Sequence, residues 1–376
     1  MQPIKMVDLR SQYLHIRREV DEAIQNVLES TDFIQGSSVK AFEQSLSRYI
    51  GGSNVISCGN GTDALQITMM ALDFKPRDEV ILPVHTYVAT AEVIALLKLV
   101  PVFADVNEGS FTIDATKIEK LITKKTVAIV PVHLYGQCAD MLTILSLAKK
   151  YNLHVIEDAA QALGTDYIFP DGSLRKAGTL GIIGTTSFFP SKSLGAFGDG
   201  GALFTEDVVL AEKIRMIANH GQKQKYHHDL IGVNSRLDTL QAAILNVKLG
   251  YLDSYVQRRR KVAEFYDLHL KDVKFLKIPA RVSYSSHVFH QYTLLVEKRY
   301  RDALKSFLQD KGVPTAVYYP IPLHFQLAYI NKELGAGSFP VSERLSGTVL
   351  CLPSTRKWIQ SSYLIFAMLS KCFIRL

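Results

Sequence analysis

Short apolar runs alternate with amphipathic segments between about residues 54 and 204 of this chain. The apolar runs are residues 54–57, 79–82, 100–104, 127–132, 154–157 and 185–189. Runs of this length are typical of strands that are covered on both faces. The segments between them, such as residues 64–72, 91–97 and 141–151, have the amphipathic pattern of helices. This alternation predicts an α/β fold with a mostly parallel central sheet and helices on both sides.

The pattern changes in the last third of the chain. Residues 235 to about 268 read as one long helical stretch, and they are followed by a strand-like run at 292–296 and a helix at 300–311. Proline and glycine punctuate these later segments, as in a smaller α+β unit. We therefore expect a large domain over residues 1–249 and a small C-terminal domain over residues 250–376.

Composition narrows the class of protein. The 376 residues are 47% apolar and 21% charged, which is ordinary for a globular protein with room for two domains. The net charge of +7 is scattered, which suits an anionic substrate and argues against nucleic-acid binding. The four cysteines show neither metal-type pairs nor a disulfide framework. No apolar run approaches the roughly 18 residues of a membrane span, so we expect no span and a cytoplasmic location.

One lysine stands out because of its surroundings. Lys192 lies among hydroxyls and glycines in residues 191–201 (SKSLGAFGDGG), directly after an apolar run. Glycine-rich backbone allows a ligand to approach closely, and a lysine held away from water is a candidate nucleophile toward carbonyls. The alternative is an ordinary surface lysine in a loop. Residues elsewhere in the chain decide between the two.

Further candidates follow the predicted strands, because ligands of open α/β sheets bind beyond the carboxyl ends of the strands. Residues 58–64 (CGNGTDA) follow the first strand and open a helix. Backbone amides there, with the Thr62 hydroxyl, would form a phosphate cradle, although helix capping explains the same residues. Tyr87 follows the second strand and would stack on a planar ring, unless it is simply a core or surface aromatic.

Asp158 follows another buried run. A buried carboxylate needs a partner, and a cationic pyridinium nitrogen would keep it ionised; the alternative is an N-cap for a following helix. Gln161, three residues later, is placed to hydrogen-bond a phenolic oxygen carried by the same pyridinium ring. With Ser187 and Lys192, the chain order becomes phosphate cradle, ring stacker, acid, hydroxyl and lysine, which matches the requirements of pyridoxal 5′-phosphate.

Six ordered motifs resemble the DegT/StrS family of pyridoxal-phosphate-dependent nucleotide-sugar aminotransferases. They are residues 60–65 (NGTDAL), 85–90 (HTYVAT), 132–137 (VHLYGQ), 157–161 (EDAAQ), the Lys192 segment and 232–238 (GVNSRLD). The resemblance runs from about Met6 to Pro353. It implies the fold-type I aminotransferase architecture and a homodimer with active sites shared at the interface.

The resemblance also implies a role for each residue. Lys192 would be the Schiff-base lysine, Asp158 would pair with the pyridinium, Tyr87 would stack on the ring and Gln161 would lie near the ring oxygen. The phosphate would be held by Gly61, Thr62 and Ser187, with Asn234 reaching it from the partner subunit. The expected substrates are glutamate, as amino donor, and a nucleotide-linked keto-sugar.

Within the family, residues 220–222, 226–228, 232–237 and 312–324 are similar to the branch that aminates sugar C3. The nearest similarity is to aminotransferases acting on UDP-2-acetamido-2-deoxy-3-oxo-D-glucuronate in surface-polysaccharide or lipopolysaccharide pathways. Such enzymes must hold a sugar carboxylate, and Arg236 is the candidate because a guanidinium matches a carboxylate bidentately. The alternative for Arg236 is an intrachain salt bridge at a helix start.

Alternatives to this substrate and to this activity remain. Related enzymes carry histidine where this chain has Tyr318, so this chain lacks that cationic contact for a carboxylate, although the tyrosine hydroxyl would still donate a hydrogen bond. The alternative substrate is therefore a dTDP-3-oxo-6-deoxyhexose, which has no carboxylate. Members of the fold that catalyse dehydration replace the lysine by histidine, so Lys192 argues against that class. A non-catalytic regulator that retains the fold is a third class.

The chain after Pro353 departs from the family, because it lacks the expected acidic amphipathic helix: no Asp or Glu follows Glu343.

Overall fold

The computed structural model describes residues 4–331 and 333–354 of the chain. The strands are β1 (Asn54–Cys58), β2 (Glu79–Pro83), β3 (Val100–Ala104), β4 (Thr126–Ile129), β5 (His154–Asp158), β6 (Asp166–Ile168), β7 (Leu174–Lys176), β8 (Ile183–Ser187), β9 (Gly201–Thr205), β10 (Gln222–Gln224), β11 (His227–His228), β12 (Leu276–Lys277), β13 (Tyr292–Val296) and β14 (Val349–Leu352). The helices are α1 (Leu9–His15), α2 (Arg17–Ser30), α3 (Ser37–Tyr49), α4 (Gly61–Ala71), α5 (Ala89–Leu96), α6 (Met141–Tyr151), α7 (Val208–Ala218), α8 (Thr239–Leu249), α9 (Leu252–Leu270), α10 (Lys298–Asp310) and α11 (Pro340–Thr348).

A seven-stranded sheet organises the fold, in the order β1-β9-β8-β5-β4-β2-β3. Strand β9 runs antiparallel to both of its neighbours, and the other neighbouring pairs are parallel. The predicted α/β class with a mostly parallel sheet is therefore confirmed. The sequence pattern did not single out β9, because its apolar residues follow the glycine-rich Lys192 segment without a separate signal.

Helices cover both faces of this sheet, as side-chain alternation along the strands requires. Val55 and Phe204 belong to an apolar cluster with α3 and α8, where the rings of Phe42 and Phe188 meet edge to face at 5.2 Å. The neighbouring Ile56 and Leu203 face the other way, toward α4 and α7. The strands are thus buried on both sides, which explains their short, continuous apolar runs.

The predicted single helix over residues 235–268 is wrong in two places. Helix α8 begins only at Thr239, and α8 and α9 are separated at Gly250 and Tyr251. Ser235 is held outside the helix because its hydroxyl donates to Asp63 (2.6 Å) and accepts from the backbone N–H of Gly59 (2.9 Å). Glycine is a poor helix former, which agrees with the break at Gly250.

A second, antiparallel sheet of β12, β13 and β14 lies in the C-terminal part of the chain. Apolar residues of α9 and α10 pack against it. No helix within residues 4–331 and 333–354 is long and apolar enough to cross a membrane. The atypical stretch from Thr355 to Leu376, which includes Cys372, falls outside the described residues, whereas Cys58, Cys138 and Cys351 are buried free thiols.

Asp105, just after β3, joins the large sheet to helix α11. Its carboxylate accepts hydrogen bonds from the backbone N–H groups of Val341 (3.1 Å) and Ser342 (2.9 Å) and from the Ser342 hydroxyl (2.6 Å). A carboxylate at a helix N-terminus satisfies unpaired N–H groups and interacts favourably with the helix dipole. Burial alone would raise the pKa of Asp105, but these hydrogen bonds outweigh burial and lower the pKa.

We predict that Asp105→Asn destabilises the protein at pH 7 by about 1–3 kcal/mol, because buried donors lose a charged acceptor. A pKa lowered by folding stabilises the protein above the unfolded-state pKa of about 3.9 and stops doing so as the pH falls through the folded pKa. The difference in the free energy of unfolding between Asp105→Asn and wild type should therefore become smaller below about pH 4. Urea denaturation midpoints across this pH range measure it.

Asp114→Asn is the matched control, because that carboxylate caps a short surface turn through Thr116 rather than a packed helix. Its effect at pH 7 should be smaller. An Asp105→Asn protein with an unchanged urea midpoint at pH 7 would show that the cap does not hold α11 in place.

Candidate active site

Three strands bring polar residues to one edge of the sheet. Strands β1, β5 and β8 run in the same direction, so their carboxyl ends at Cys58, Asp158 and Ser187 share that edge. A Cβ atom built on Gly61 would lie 2.7 Å from the Cβ of Ser187, so only glycine allows this approach. The start of α4 therefore packs directly beside the end of β8.

Helix capping and the proposed phosphate cradle use different residues. Asn60 is the N-cap of α4, and its side chain accepts from the backbone N–H of Asp63 at 2.8 Å. Gly61 and Thr62 form the first turn, next to Ser187. Backbone N–H groups at the start of an eleven-residue helix are suited to a phosphate. The two interpretations of residues 58–64 are therefore compatible.

Asp158 is 8% exposed and held by two donors. The Thr90 hydroxyl donates to Oδ2 at 3.0 Å, and the Ala160 backbone N–H donates to Oδ1 at 3.1 Å. No helix follows Asp158; residues 160–164 form turns, so the N-cap interpretation is wrong. The sequence marks Thr90, on α5, only as part of the motif at residues 85–90. Its contact with Asp158 depends on how α5 packs across the sheet edge.

Lys192 lies in the loop that joins β8 to β9. The loop closes on itself, because Phe188 donates to Gly200 O and Ala196 donates to Phe188 O, both at 2.7 Å. Burial lowers the pKa of Lys192, while the negative charge of Asp158 opposes the shift. A lowered pKa increases the uncharged amine, which is the nucleophilic form. These surroundings are not those of an ordinary surface lysine.

Helix α8 holds the same loop from outside. The Phe197 N–H donates to the Gln241 side chain at 2.8 Å, and Lys248 Nζ donates to Gly195 O. Lys248 is fully buried, with its ammonium 5.1 Å from the centre of the Phe197 ring. Sequence reasoning missed Gln241 and Lys248, because polar residues in a helical stretch look like a solvated face.

An aromatic cluster stands beside Asp158. Tyr87 is 57% exposed, and its ring centre lies 6.2 Å from that of Tyr319. Gln161 donates to the Tyr319 hydroxyl at 3.2 Å and accepts from the Tyr135 backbone N–H at 2.8 Å. The side-chain carbonyl of Gln161 and one of its two side-chain N–H groups are therefore bound within the protein. The second side-chain N–H is left for a ligand. Sequence reasoning named Tyr318 and missed Tyr319.

Tyr318 lies next to this cluster. Its backbone oxygen accepts from the Tyr135 hydroxyl. Burial raises the pKa of the Tyr318 phenol, so its side chain is neutral near pH 7. The position thus offers a hydrogen bond but no positive charge.

Asn234 and Arg236 lie elsewhere on the chain's surface. Ser235 ties them to the turn before α4 through Gly59 and Asp63. Arg236 lines a cavity of about 270 Å³ that does not include Lys192, which lines a separate cavity of about 40 Å³. Within the described part of the chain, no carboxylate lies within ion-pair distance of Arg236, so its intrachain salt bridge is not formed.

The residues present fit pyridoxal phosphate. The edge supplies a helix N-terminus with a close serine for an ester phosphate, a buried carboxylate for a ring nitrogen and a lysine with a lowered pKa. In the described structure, the buried atoms His85 Nδ1, Thr86 Oγ1 and Ser193 Oγ lack hydrogen-bond partners. They flank Tyr87 and Lys192 in sequence and retain capacity for a polar ligand.

The fold and this edge define a pyridoxal-phosphate-dependent aminotransferase. The chain belongs to the DegT/DnrJ/EryC1/StrS aminotransferase family, whose model matches residues 14–362.

Several known proteins are similar over nearly the whole chain. The UDP-2-acetamido-2-deoxy-3-oxo-D-glucuronate aminotransferase of Pseudomonas aeruginosa is 45% identical, covering 93% of this chain and 94% of its own. The pleiotropic regulatory protein of Geobacillus stearothermophilus is 44% identical, covering 93% of both chains. The crystal structure of S. venezuelae DesV in complex with a ketimine intermediate has a TM-score of 0.93 and 37% identity, covering 99% of this chain and 98% of its own.

These similarities confirm the fold-type I architecture, the cofactor pyridoxal 5′-phosphate and the class of sugar aminotransferase. The names of further relatives include both UDP-linked and dTDP-linked sugars. The family therefore establishes the type of reaction, and the particular sugar has to be argued from this chain's own residues.

Proposed function

We propose that this protein transfers the amino group of glutamate to the C3 keto group of UDP-2-acetamido-2-deoxy-3-oxo-D-glucuronate, for surface-polysaccharide or lipopolysaccharide biosynthesis. The observation that carries the sugar assignment is Arg236. Arg236 lines a cavity, and its guanidinium has no ion-pair partner among the described residues, as expected of a group that binds a substrate carboxylate. The relative from Pseudomonas aeruginosa, 45% identical, is named for this sugar.

Each residue at the sheet edge has a proposed role. The start of α4, at Gly61 and Thr62, would hold the cofactor phosphate together with Ser187. Tyr87 would stack on the ring, and the remaining side-chain N–H of Gln161 would be available to the ring oxygen. Lys192 would react with the cofactor aldehyde, and Asp158 would pair with the ring nitrogen.

Two residues handle protons in this proposal. Bound pyridoxal phosphate supplies an electron sink for negative charge at the substrate carbon. Lys192 Nζ removes the proton from the amino-bearing carbon of glutamate and, in the reverse direction, delivers a proton to C3 of the sugar. Asp158, which accepts hydrogen bonds from the Thr90 hydroxyl and the Ala160 N–H, would hold the proton on the ring nitrogen.

The proposal includes a homodimer with shared active sites, acting in the cytoplasm. Arg236 lines a different cavity from Lys192 within one chain. A substrate that meets both residues is best explained if Asn234 and Arg236 serve the site of the partner subunit. Asn234 is exposed, as such a reach requires.

Two alternatives have specific support. A neutral Tyr318 in place of histidine favours a dTDP-3-oxo-6-deoxyhexose, which carries no carboxylate. The regulatory name of the Geobacillus stearothermophilus relative favours a regulator that retains the fold. Lys192 and Asp158 are intact in this chain, which supports catalysis over the second alternative.

We predict that Lys192→Ala loses both turnover and the visible absorbance of the lysine-bound cofactor, because no other amine takes its place. Lys149→Ala, on the exposed face of α6, is the control and should keep both. Absorbance spectra and product formation measure the outcome. An active Lys192→Ala protein with a normal spectrum would show the assignment to be wrong, and a coloured wild type without transfer from any amino donor would favour the regulator.

We predict that Arg236→Gln lowers kcat/KM for the keto-glucuronate by about tenfold to a hundredfold, as loss of a charged hydrogen-bond pair does. The same change should leave the dTDP-deoxyhexose almost unaffected. Arg215→Gln is a matched control, because Arg215 lines the same cavity but is paired with Glu43 at 2.9 Å. A clear wild-type preference for the deoxyhexose would overturn the proposed substrate.

Shared sites predict complementation between inactive variants. Lys192→Ala and Arg236→Gln chains, co-expressed with different affinity tags, form mixed dimers in which one site has both native residues. Such dimers should regain up to half of the wild-type activity per dimer, since one of two equivalent sites is complete. Mixed dimers no more active than their parents would place Arg236 in the site of its own subunit.

A further inference from the structure

A buried histidine and glutamate lie directly behind Asp158. His133 Nε2 is 2.8 Å from Glu157 Oε2, and both side chains are fully buried. Glu157 also accepts from the backbone N–H groups of Gly178 (3.0 Å), Leu180 (2.6 Å) and Gly181 (2.7 Å). A carboxylate this deeply buried is costly unless all its oxygens are paired. The roles proposed above do not use this pair.

The hydrogen bonds identify the form of His133. The Ala139 backbone N–H donates to Nδ1 at 3.2 Å, so Nδ1 carries no proton. The ring proton is then on Nε2 and is donated to Glu157. All four contacts use the Glu157 carboxylate as acceptor, which is the pattern of an ionised group. A negative charge is therefore fixed one residue before Asp158.

The backbone of His133 also hydrogen-bonds to the backbone of Asp158. The His133 backbone N–H donates to Asp158 O, and the Asp158 N–H donates to Pro131 O, both at 3.0 Å. Successive side chains of a strand point to opposite faces, so Glu157 and Asp158 extend to opposite sides of β5. His133 thus binds residue 157 through its ring and residue 158 through its backbone.

We propose that His133 and Glu157 are positioning residues for Asp158. They fix the end of β5 so that the Asp158 carboxylate keeps its direction, and they hold a second negative charge behind it. This inference rests on the proposed pairing of Asp158 with the ring nitrogen. Loss of the His133–Glu157 contact should make the cofactor's ring nitrogen easier to deprotonate, while the residues that contact the substrate stay in place.

The test compares holoenzymes of His133→Phe, Glu157→Gln and, as reference, Asp158→Asn. The first readout is the pH at which the visible cofactor absorbance changes, and the second is the single-turnover rate with glutamate. We expect the spectral transition of Glu157→Gln to move to lower pH, because a nearby negative charge favours the protonated ring. The transition of His133→Phe should move the same way, because Glu157 loses the ring that anchors it and the end of β5 no longer holds the Asp158 carboxylate in place. Their maximal rate should fall at least about tenfold through misplacement, with little change in the half-saturating glutamate concentration.

His133→Gln retains a donor toward Glu157 and should recover part of both losses. If His133→Phe and Glu157→Gln do not fold, His133→Asn takes their place, because its shorter side chain reaches only the Nδ1 position and leaves Glu157 without that donor; wild-type values in His133→Asn would overturn the proposal. His324→Phe is the matched control for His133→Phe: it removes another buried histidine contact, to Glu343 at 3.2 Å. We expect a lower Tm there with an unmoved spectral transition, and a shift equal to that of His133→Phe would overturn the proposal.

The outcomes separate this inference from the proposed function. If Asp158→Asn alters spectrum and rate but the folded His133→Phe and Glu157→Gln proteins behave as wild type, only the positioning role is wrong. If Asp158→Asn itself retains the wild-type spectrum and rate, the role of Asp158 in the proposed function is wrong, and the positioning role with it.

Discussion

The buried carboxylate of Asp158 is the constraint on which the site depends. A carboxylate that is 8% exposed is tolerable only where hydrogen-bond donors satisfy it. The protein supplies donors from Thr90 on α5 and from the turn that begins at Ala160. The parallel sheet then determines what stands nearby, because β1 and β8 end at the same edge as β5. The candidate site therefore depends on where the strands end more than on any single side chain.

The remaining parts of the edge are held by packing that has no chemical role of its own. The approach of Gly61 to Ser187 leaves no room for a side chain. Gln241 and Lys248 on α8 hold the backbone of the Lys192 loop. A buried lysine is expensive to desolvate, so its use on a backbone oxygen indicates that the loop's shape matters. A rigid loop keeps Lys192 near Asp158 at a lowered pKa.

The C-terminal part of the chain is joined to this arrangement through polar contacts beyond the carboxyl ends of the strands. Asp105 caps α11, and Gln161 meets the hydroxyl of Tyr319. Tyr319 and Tyr318 thereby stand over the edge on a segment far from the strands in sequence. The proposed sugar-binding residue Tyr318 thus lies on a segment with less regular structure, as is common for specificity determinants.

Local patterns in the sequence were enough to predict the α/β class, the mostly parallel sheet and the order of Asp158, Ser187 and Lys192, because strand runs and glycine-rich turns are local signals. It also carried the family motifs, and with them the cofactor and the type of reaction. Four features follow only from the folded chain: Thr90 binds Asp158, Lys248 is buried, α8 begins after Ser235, and Arg236 and Lys192 line different cavities. Each of these depends on contacts between residues far apart in the chain, and burial and pairing at such distances leave no mark in local periodicity.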